Sequence, residues 1–384
     1  MFKVTLCCRP AVSNFFGQGE PYDRLFFWRN LNSFKENNLS IVPDIYDIRS
    51  DSRNPCDPTP GTPGFRGTHK TVFHISLLQT RHYMGGPECP SNNRIDGKIV
   101  IVTGATSGLG LHTATELAKR GGTVVLACRD LAKGIKACED ISQQTPRAAV
   151  SAIHLDTSSL QSVRKFSQSV EFSHVDILIN NAGIAFHPPE KTEDGIEMHL
   201  ATNYLGHFLL THLLLPKLKA APNARVINVS AHAHYGGSVQ IDNLNLDGGY
   251  SSGRAFSQSK LAMVLMARHM AHSVLAGTNV TFNVVDPGIV RGTKHMRLSP
   301  LSSSIMVQMA MMPWLWLFMK SCSQGAQTII YLAVARELAR TSGTYYSDCA
   351  QREPSELARD SSLALQLYEK SCSLVGIECP QESL

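Results

Sequence analysis

Thr103-Gly104-Ala105-Thr106-Ser107-Gly108-Leu109-Gly110 directly follows the apolar run Ile99-Val100-Ile101-Val102 and opens a helical pattern near Leu111. A buried strand, a glycine turn and a helix start make the frame of a dinucleotide-binding βαβ unit. Each glycine has a physical task there. Gly104 permits the tight turn off the strand, Gly108 lets the backbone approach a pyrophosphate, and Gly110 lets the helix pack closely on the sheet. The anion then sits at the helix N-terminus, where free N–H groups and the dipole favour negative charge. A glycine turn without a ligand is the alternative. The strand before and the helix after favour cofactor contact along the whole of Gly104, Ala105, Thr106, Ser107, Gly108, Leu109 and Gly110.

Outward from this turn, strands and helices alternate. Lys98–Thr103, Thr123–Ala127, Val150–Leu155, Val175–Asn180, Arg225–Val229 and Val280–Val285 read as strands. Leu111–Arg120, Leu131–Gln143, Leu160–Val170, Met198–Leu218, Ser257–Ser273, Gly325–Ala339 and Ser355–Cys372 read as helices. Such alternation predicts an α/β fold, a doubly wound parallel sheet with right-handed crossovers and ligands at the strands' carboxyl ends. Residues 1–80 differ. Their prolines and glycines, from Pro43 to Gly67, carry neither a helical nor a strand period, so an irregular N-terminal extension is expected before one domain over 81–384.

Composition narrows the function classes. With 43% hydrophobic and 17% charged residues the chain is globular in character, and a net charge of +5 without a Lys/Arg run gives no reason to expect a nucleic-acid partner. The ten cysteines are scattered and form no C-x-x-C pair, which fits free thiols and no zinc site. The sequons at Asn38, Asn228 and Asn279 read as chance, since two fall in expected buried strands. No apolar span of about 20 residues is present, and the apolar run before Arg9-Pro10 is a poor signal peptide. An intracellular protein is expected, cytoplasmic or peripheral on an organelle membrane.

The carboxyl ends of the strands carry the informative polar residues. Cys128-Arg129-Asp130 closes the second strand, where an acidic residue would take a ribose 2′-OH and an arginine would suit a 2′-phosphate. Arg129 comes first and Lys133 lies one turn on, so NADP(H) is favoured over NAD(H). Asp156 ends the third strand, and Asn180-Asn181-Ala182-Gly183 ends the fourth, on the same sheet edge.

Together with Asn203, Asn228-Val229-Ser230, Ser257–Lys260 and Pro287-Gly288, these residues resemble the short-chain dehydrogenase/reductase superfamily. Ala127-Cys128-Arg129, Thr202–Phe208, Ser259–Ala262, Gln324–Thr328, Ser347–Cys349 and Ser371-Cys372 resemble its retinol dehydrogenase-like branch, over about residues 82 to 380. The resemblance implies a Rossmann-type sheet and cofactor contacts at Arg129, Asp156, Asn180, Ala182, Gly183, Lys260, Pro287 and Gly288. It implies catalytic roles for Asn203, in a proton relay, and for Lys260, on the nicotinamide ribose. It also exposes a departure. The tyrosine of the family's Y-x-x-x-K motif is Phe256 here, and the family's catalytic serine falls on Ala231.

The cofactor half of such a site is thus intact and the proton-transfer half is not. Acid–base catalysis is typically worth about 10²–10⁴-fold and an oxyanion donor roughly 10²–10³-fold. Ser230, His232, His234, Tyr235 and Tyr250 are the nearby substitutes. Ser230 should face the core, opposite position 231. Tyr250 would need a different backbone path, while His232 and His234 stand where substrate enters. Ile305–Met319, with Met309, Met311, Met312, Trp314 and Trp316, suits a lid over a lipophilic ligand, a core helix, or membrane contact through Trp314–Phe318. Two functions are expected in turn. One is an NADP(H)-dependent oxidoreductase-like protein for lipophilic, retinoid- or steroid-like alcohols or carbonyls with a degenerate site. The other is a pseudoenzyme, a sensor or scaffold that binds NADP(H) without turnover. A homodimer through helices beside the sheet follows from the resemblance alone.

Overall fold

The structure, a computed structural model, describes residues 85–291 and 319–379. The expected extension over 1–80, the domain boundary near residue 81 and the patch Trp314–Phe318 lie outside them.

Among the described residues, eight strands form one sheet in the order β3-β2-β1-β4-β5-β6-β7-β8. The first six are β1 Ile99–Thr103, β2 Thr123–Cys128, β3 Val150–His154, β4 Ile177–Asn180, β5 Ala224–Val229 and β6 Val280–Asp286. All are parallel, as is β7, Tyr345–Ser347, which pairs with β6. Strands covered on both faces read as unbroken apolar runs because no face meets water. Val100, Ile101, Val102, Val124, Val125 and Leu126 are fully buried.

Alternate residues of each strand serve opposite layers. Ile101 and Val125 pack with α3 (Leu160–Ser169), α4 (Gly206–Ala220), α5 (Ser252–His269) and α7 (Ser361–Val375), through Phe166, Phe208, Val264 and Leu367. Val100 and Val124 pack with α1 (Gly108–Lys119), α2 (Leu131–Gln144) and α6 (Cys322–Val334), through Leu117, Ile141 and Ile329. The sheet is therefore the middle layer of three, and the doubly wound expectation holds.

Several boundaries differ from the pattern-based ones, each for a local reason. The helix expected over Met198–Leu218 begins as a π-helical turn, Leu200–Leu205, before α4. α5 starts at Ser252 and ends in a second π turn, Met270–Val274. A capping box between Ser321 and Gln324 starts α6 early, and α6 stops at Val334. α7 starts at Ser361, because the Asp360 side chain accepts from Leu363 N at 3.0 Å. The hairpin of β7 and β8 (Ala350–Arg352) was not foreseen, and β8 runs antiparallel. Asp348 and Cys349 at its tip have φ of 53° and 54°, the left-handed pair of a type I′ turn.

All seven cysteines among the described residues are free thiols. Asn228 is fully buried, its Nδ2 donating to Met263 O at 3.0 Å.

Candidate active site

At the carboxyl edge of the sheet the loops after β1, β2, β3, β4, β5 and β6 enclose a cavity of about 510 Å³. Its first wall is the glycine turn. Gly104 has φ +67°, and a Cβ there would lie 2.9 Å from Ala182 Cα. A Cβ on Gly110 would lie 2.5 Å from Gly104 O and from Asn181 Nδ2. Only glycine lets β1, α1 and the loop after β4 meet this closely. Ser107, the N-cap of α1, makes no side-chain hydrogen bond to the helix, and the first residues of the helix, Gly108, Leu109 and Gly110, line the cavity. Thr106, Ser107, Gly108, Leu109 and Gly110 line it with Gly104, while Ala105 is fully buried beneath.

Thr103 ties this wall to the next. Its Oγ1 accepts from Asn181 N at 2.8 Å and Ala182 N at 2.9 Å. Burial pushes His207 down to about 4, so the ring is neutral; Nδ1 donates to Asn203 O at 2.9 Å and Nε2 accepts from Thr103 at 2.9 Å. These bonds fix the Asn181–Gly183 loop, whose three residues line the cavity. Asn180 does not reach it. Its side chain donates to Thr211 Oγ1 and Asn228 Oδ1 within the core.

At the far end of the cavity lie Arg129, Asp130, Lys133 and Asp156. Arg129 is exposed. The Asp130 carboxylate accepts from Lys133 N at 3.1 Å as the cap of α2 and also binds Lys133 Nζ. Asp156 Oδ1 accepts from Ser158 N at 2.9 Å and from Ser158 Oγ at 2.6 Å.

The opposite end is built by α5 and the loops after β5 and β6. Lys260 is 4% exposed, and Nζ donates to Val229 O at 2.9 Å. Burial pushes its ammonium down to about 8, partly countered by the charge of Asp286. Phe256 lies one turn earlier, its ring centroid 5.9 Å from Lys260 Nζ and 6.0 Å from the Phe186 ring. Ala231, Phe256, Lys260, Pro287 and Gly288 share the cavity wall. Asn203 is held behind it. Its Oδ1 accepts from Ile184 N at 2.8 Å, and Nδ2 donates to Ile184 O at 3.0 Å and Ser259 Oγ at 2.8 Å.

The five residues expected as candidates for supplying a hydroxyl or an acid–base group near Phe256 and Ala231 separate clearly. Ser230 Oγ donates to Lys260 O at 2.9 Å. His234 is fully buried, with Nδ1 donating to Ala231 O and Nε2 accepting from Ser355 N. Tyr235 donates to Glu353 O at 2.6 Å. Tyr250 donates to His187 O at 2.6 Å, and burial pushes its hydroxyl up to about 12. His232 lines the cavity, with Nδ1 3.8 Å from Asp286 Oδ2.

Pattern reading did not single out Asn181, Phe186, Thr202, Ile289 and Val290, which also line the cavity. Asn181 and Thr202 sit inside motifs already noted. Phe186, Ile289 and Val290 give no local signal, because loops that meet only in the fold bring them there.

A dinucleotide fits this cradle: two glycines hold its turn open, a helix N-terminus borders it, and the buried Lys260 ammonium closes the end opposite Arg129. The comparisons agree. The family model for short chain dehydrogenase matches residues 98–300. Retinol dehydrogenase 13 of Homo sapiens is 45% identical over 313 residues, 81% of this chain and 94% of that protein. Retinol dehydrogenase 11 of Homo sapiens is 39% identical over 312 residues, 80% and 94% of the two chains. A solved structure of an uncharacterized protein from Mycobacterium Paratuberculosis is 33% identical with a TM-score of 0.62, covering 77% of this chain and 99% of that one. A fold and site of this kind define a nicotinamide-dinucleotide oxidoreductase class. The chain belongs to the short chain dehydrogenase family, in its retinol dehydrogenase-like branch.

Proposed function

We propose that this protein is an NADP(H)-dependent oxidoreductase for lipophilic alcohols or carbonyls, retinoid- or steroid-like, working through a degenerate and slow site. The observation that carries this is the cavity wall where Lys260 stands beside Phe256 and Ala231. A bound nicotinamide supplies or accepts the hydride. Lys260, with one N–H given to Val229 O, keeps donors for the ribose. Arg129, exposed at the end of β2, offers charge to a 2′-phosphate, while the Asp130 carboxylate is engaged as a helix cap. Ile184, Ala185, Phe186, Phe256, Ile289 and Val290 give the substrate end an apolar lining that favours a lipophilic ligand. The two retinol dehydrogenases at 45% and 39% identity support the same substrate class.

The competing pseudoenzyme draws on the engagement of Ser230, His234, Tyr235 and Tyr250 elsewhere. Purified protein with NADPH and all-trans-retinal decides between them. Measurable oxidation of NADPH is the expected result, and cofactor binding without turnover would establish the sensor or scaffold instead. Tighter binding of NADPH than of NADH is expected; the reverse would remove the role given to Arg129.

No helix among the described residues is long and apolar enough to cross a membrane. Peripheral membrane contact through Trp314–Phe318 and pairing of two copies belong to the same proposal. Vesicle co-sedimentation and sedimentation velocity test them.

A further inference from the structure

We infer that Phe186 and Phe256 form an aromatic platform on which the body of the ligand lies flat, so that the cavity selects planar conjugated or aryl carbonyl compounds over saturated, puckered ones of the same size. This rests on the proposal above that the cavity takes lipophilic alcohols or carbonyls. Both rings line the cavity and both are half-buried. Their centroids lie 6.0 Å apart, with 33° between the planes. A ligand sandwiched between parallel rings needs about 7 Å, two van der Waals separations. These two rings therefore make one floor rather than two walls. A flat π-system stacks on such a floor with an offset, whereas a puckered saturated ring meets it only through its outermost hydrogens.

Phe186 is held there against its backbone preference. Its φ is +56°, in the left-handed region that a bulky side chain rarely occupies. Such a conformation persists only where the surroundings over-determine it, and here they do so on both sides. Two residues earlier, Ile184 is pinned through its N and O to the Asn203 side chain. One residue later, His187 N donates to His199 Nε2 at 3.1 Å, and His187 O accepts from Tyr250 OH at 2.6 Å.

The same support reaches the second ring. His199 is fully buried, and its Nδ1 donates to Glu197 Oε1 at 2.7 Å. Its ring meets Phe256 edge-on, with centroids 6.4 Å apart. One buried Glu197–His199 pair thus positions both halves of the platform. Lys260 Nζ stands 5.9 Å from the Phe256 centroid, so the floor ends at a charge suited to the oxygen of the ligand. Phenylalanine at 256, with no hydroxyl, gives that floor an apolar surface throughout.

The test is calorimetric titration of the full chain, saturated with NADP⁺ so that an added aldehyde does not react. The probes are trans-cinnamaldehyde and 3-cyclohexylpropanal, which have equal carbon number. The wild type should bind the planar aldehyde about fivefold or more tightly, although the cyclohexyl compound is the more hydrophobic. Phe186→Leu and Phe256→Leu should each bring the two affinities within about twofold, while Phe256→Tyr, which keeps the ring, should retain the preference. Phe186→Gly adopts the left-handed backbone freely. It should lose the preference with little change in Tm, which separates a ring that faces the ligand from one that only packs. Equal affinities in the wild type, or an unchanged preference in the leucine variants, would overturn the inference and leave the proposed ligand class standing. Failure of the wild type to bind either aldehyde or all-trans-retinal would instead remove that class, and the inference with it.

Discussion

At residue scale the cavity sets Lys260 beside Phe256 and Ala231, and Lys260 shows how tightly this end is built. An ammonium 4% exposed and pushed down to about 8 is protonated less readily in the fold than in the unfolded chain. Its full charge therefore opposes folding below pH 8, and stability attributable to it rises as pH climbs from about 8 towards 10.5. Lys260→Met should accordingly raise stability at pH 7 by about 1–3 kcal/mol, read as a higher Tm, while weakening NADPH binding at least tenfold. In the wild type, NADPH affinity should fall as pH rises through 8, because the deprotonated amine no longer offers charge. A flat affinity between pH 7 and 9 would contradict that role. Phe256 and Ala231 stood out in the sequence only through the family resemblance, which implies a tyrosine four residues before Lys260 and a serine after Asn228-Val229-Ser230. Asn203 was only half legible. Its position could be counted, but its bonds to Ile184 and Ser259 join segments 19 and 56 residues away, which no local pattern reveals.

At the scale of elements, the glycine turn is where sequence and structure agree most fully, because a steric requirement is written in residue type. Gly110→Ala places a methyl group 2.5 Å from Gly104 O, and backbone cannot yield as a flexible side chain would. A loss of about 1–3 kcal/mol and of NADPH binding is expected, measured by denaturant unfolding and fluorescence titration. Helix ends were harder to read. Ser355 resembles a helix start, yet Asp360 takes the cap five residues later through Leu363 N. Asp360→Ala should cost about 1 kcal/mol without altering cofactor affinity, which separates that cap from the site. The β7–β8 hairpin escaped notice because three-residue strands are too short to show a period, and its turn uses Asp348 and Cys349 where glycine would have signalled it.

At the scale of the whole molecule, a parallel sheet between two helical layers gathers six loops at one edge, and function follows from what those loops carry. The alternation of strands and helices made this architecture readable from the chain. The second wall of the cavity was not readable, because Phe186, Ile289 and Val290 converge only once β4 and β6 are neighbours of β5. We propose that cofactor binding has outlived the hydroxyl pair. The most direct measurement of this compares wild type with the double replacement Phe256→Tyr and Ala231→Ser, using NADPH affinity and single-turnover reduction of all-trans-retinal side by side. Equal NADPH affinity with roughly 10²-fold faster reduction in the double replacement is the predicted result. Equal reduction rates in the two proteins, or no NADPH binding by either, would contradict it.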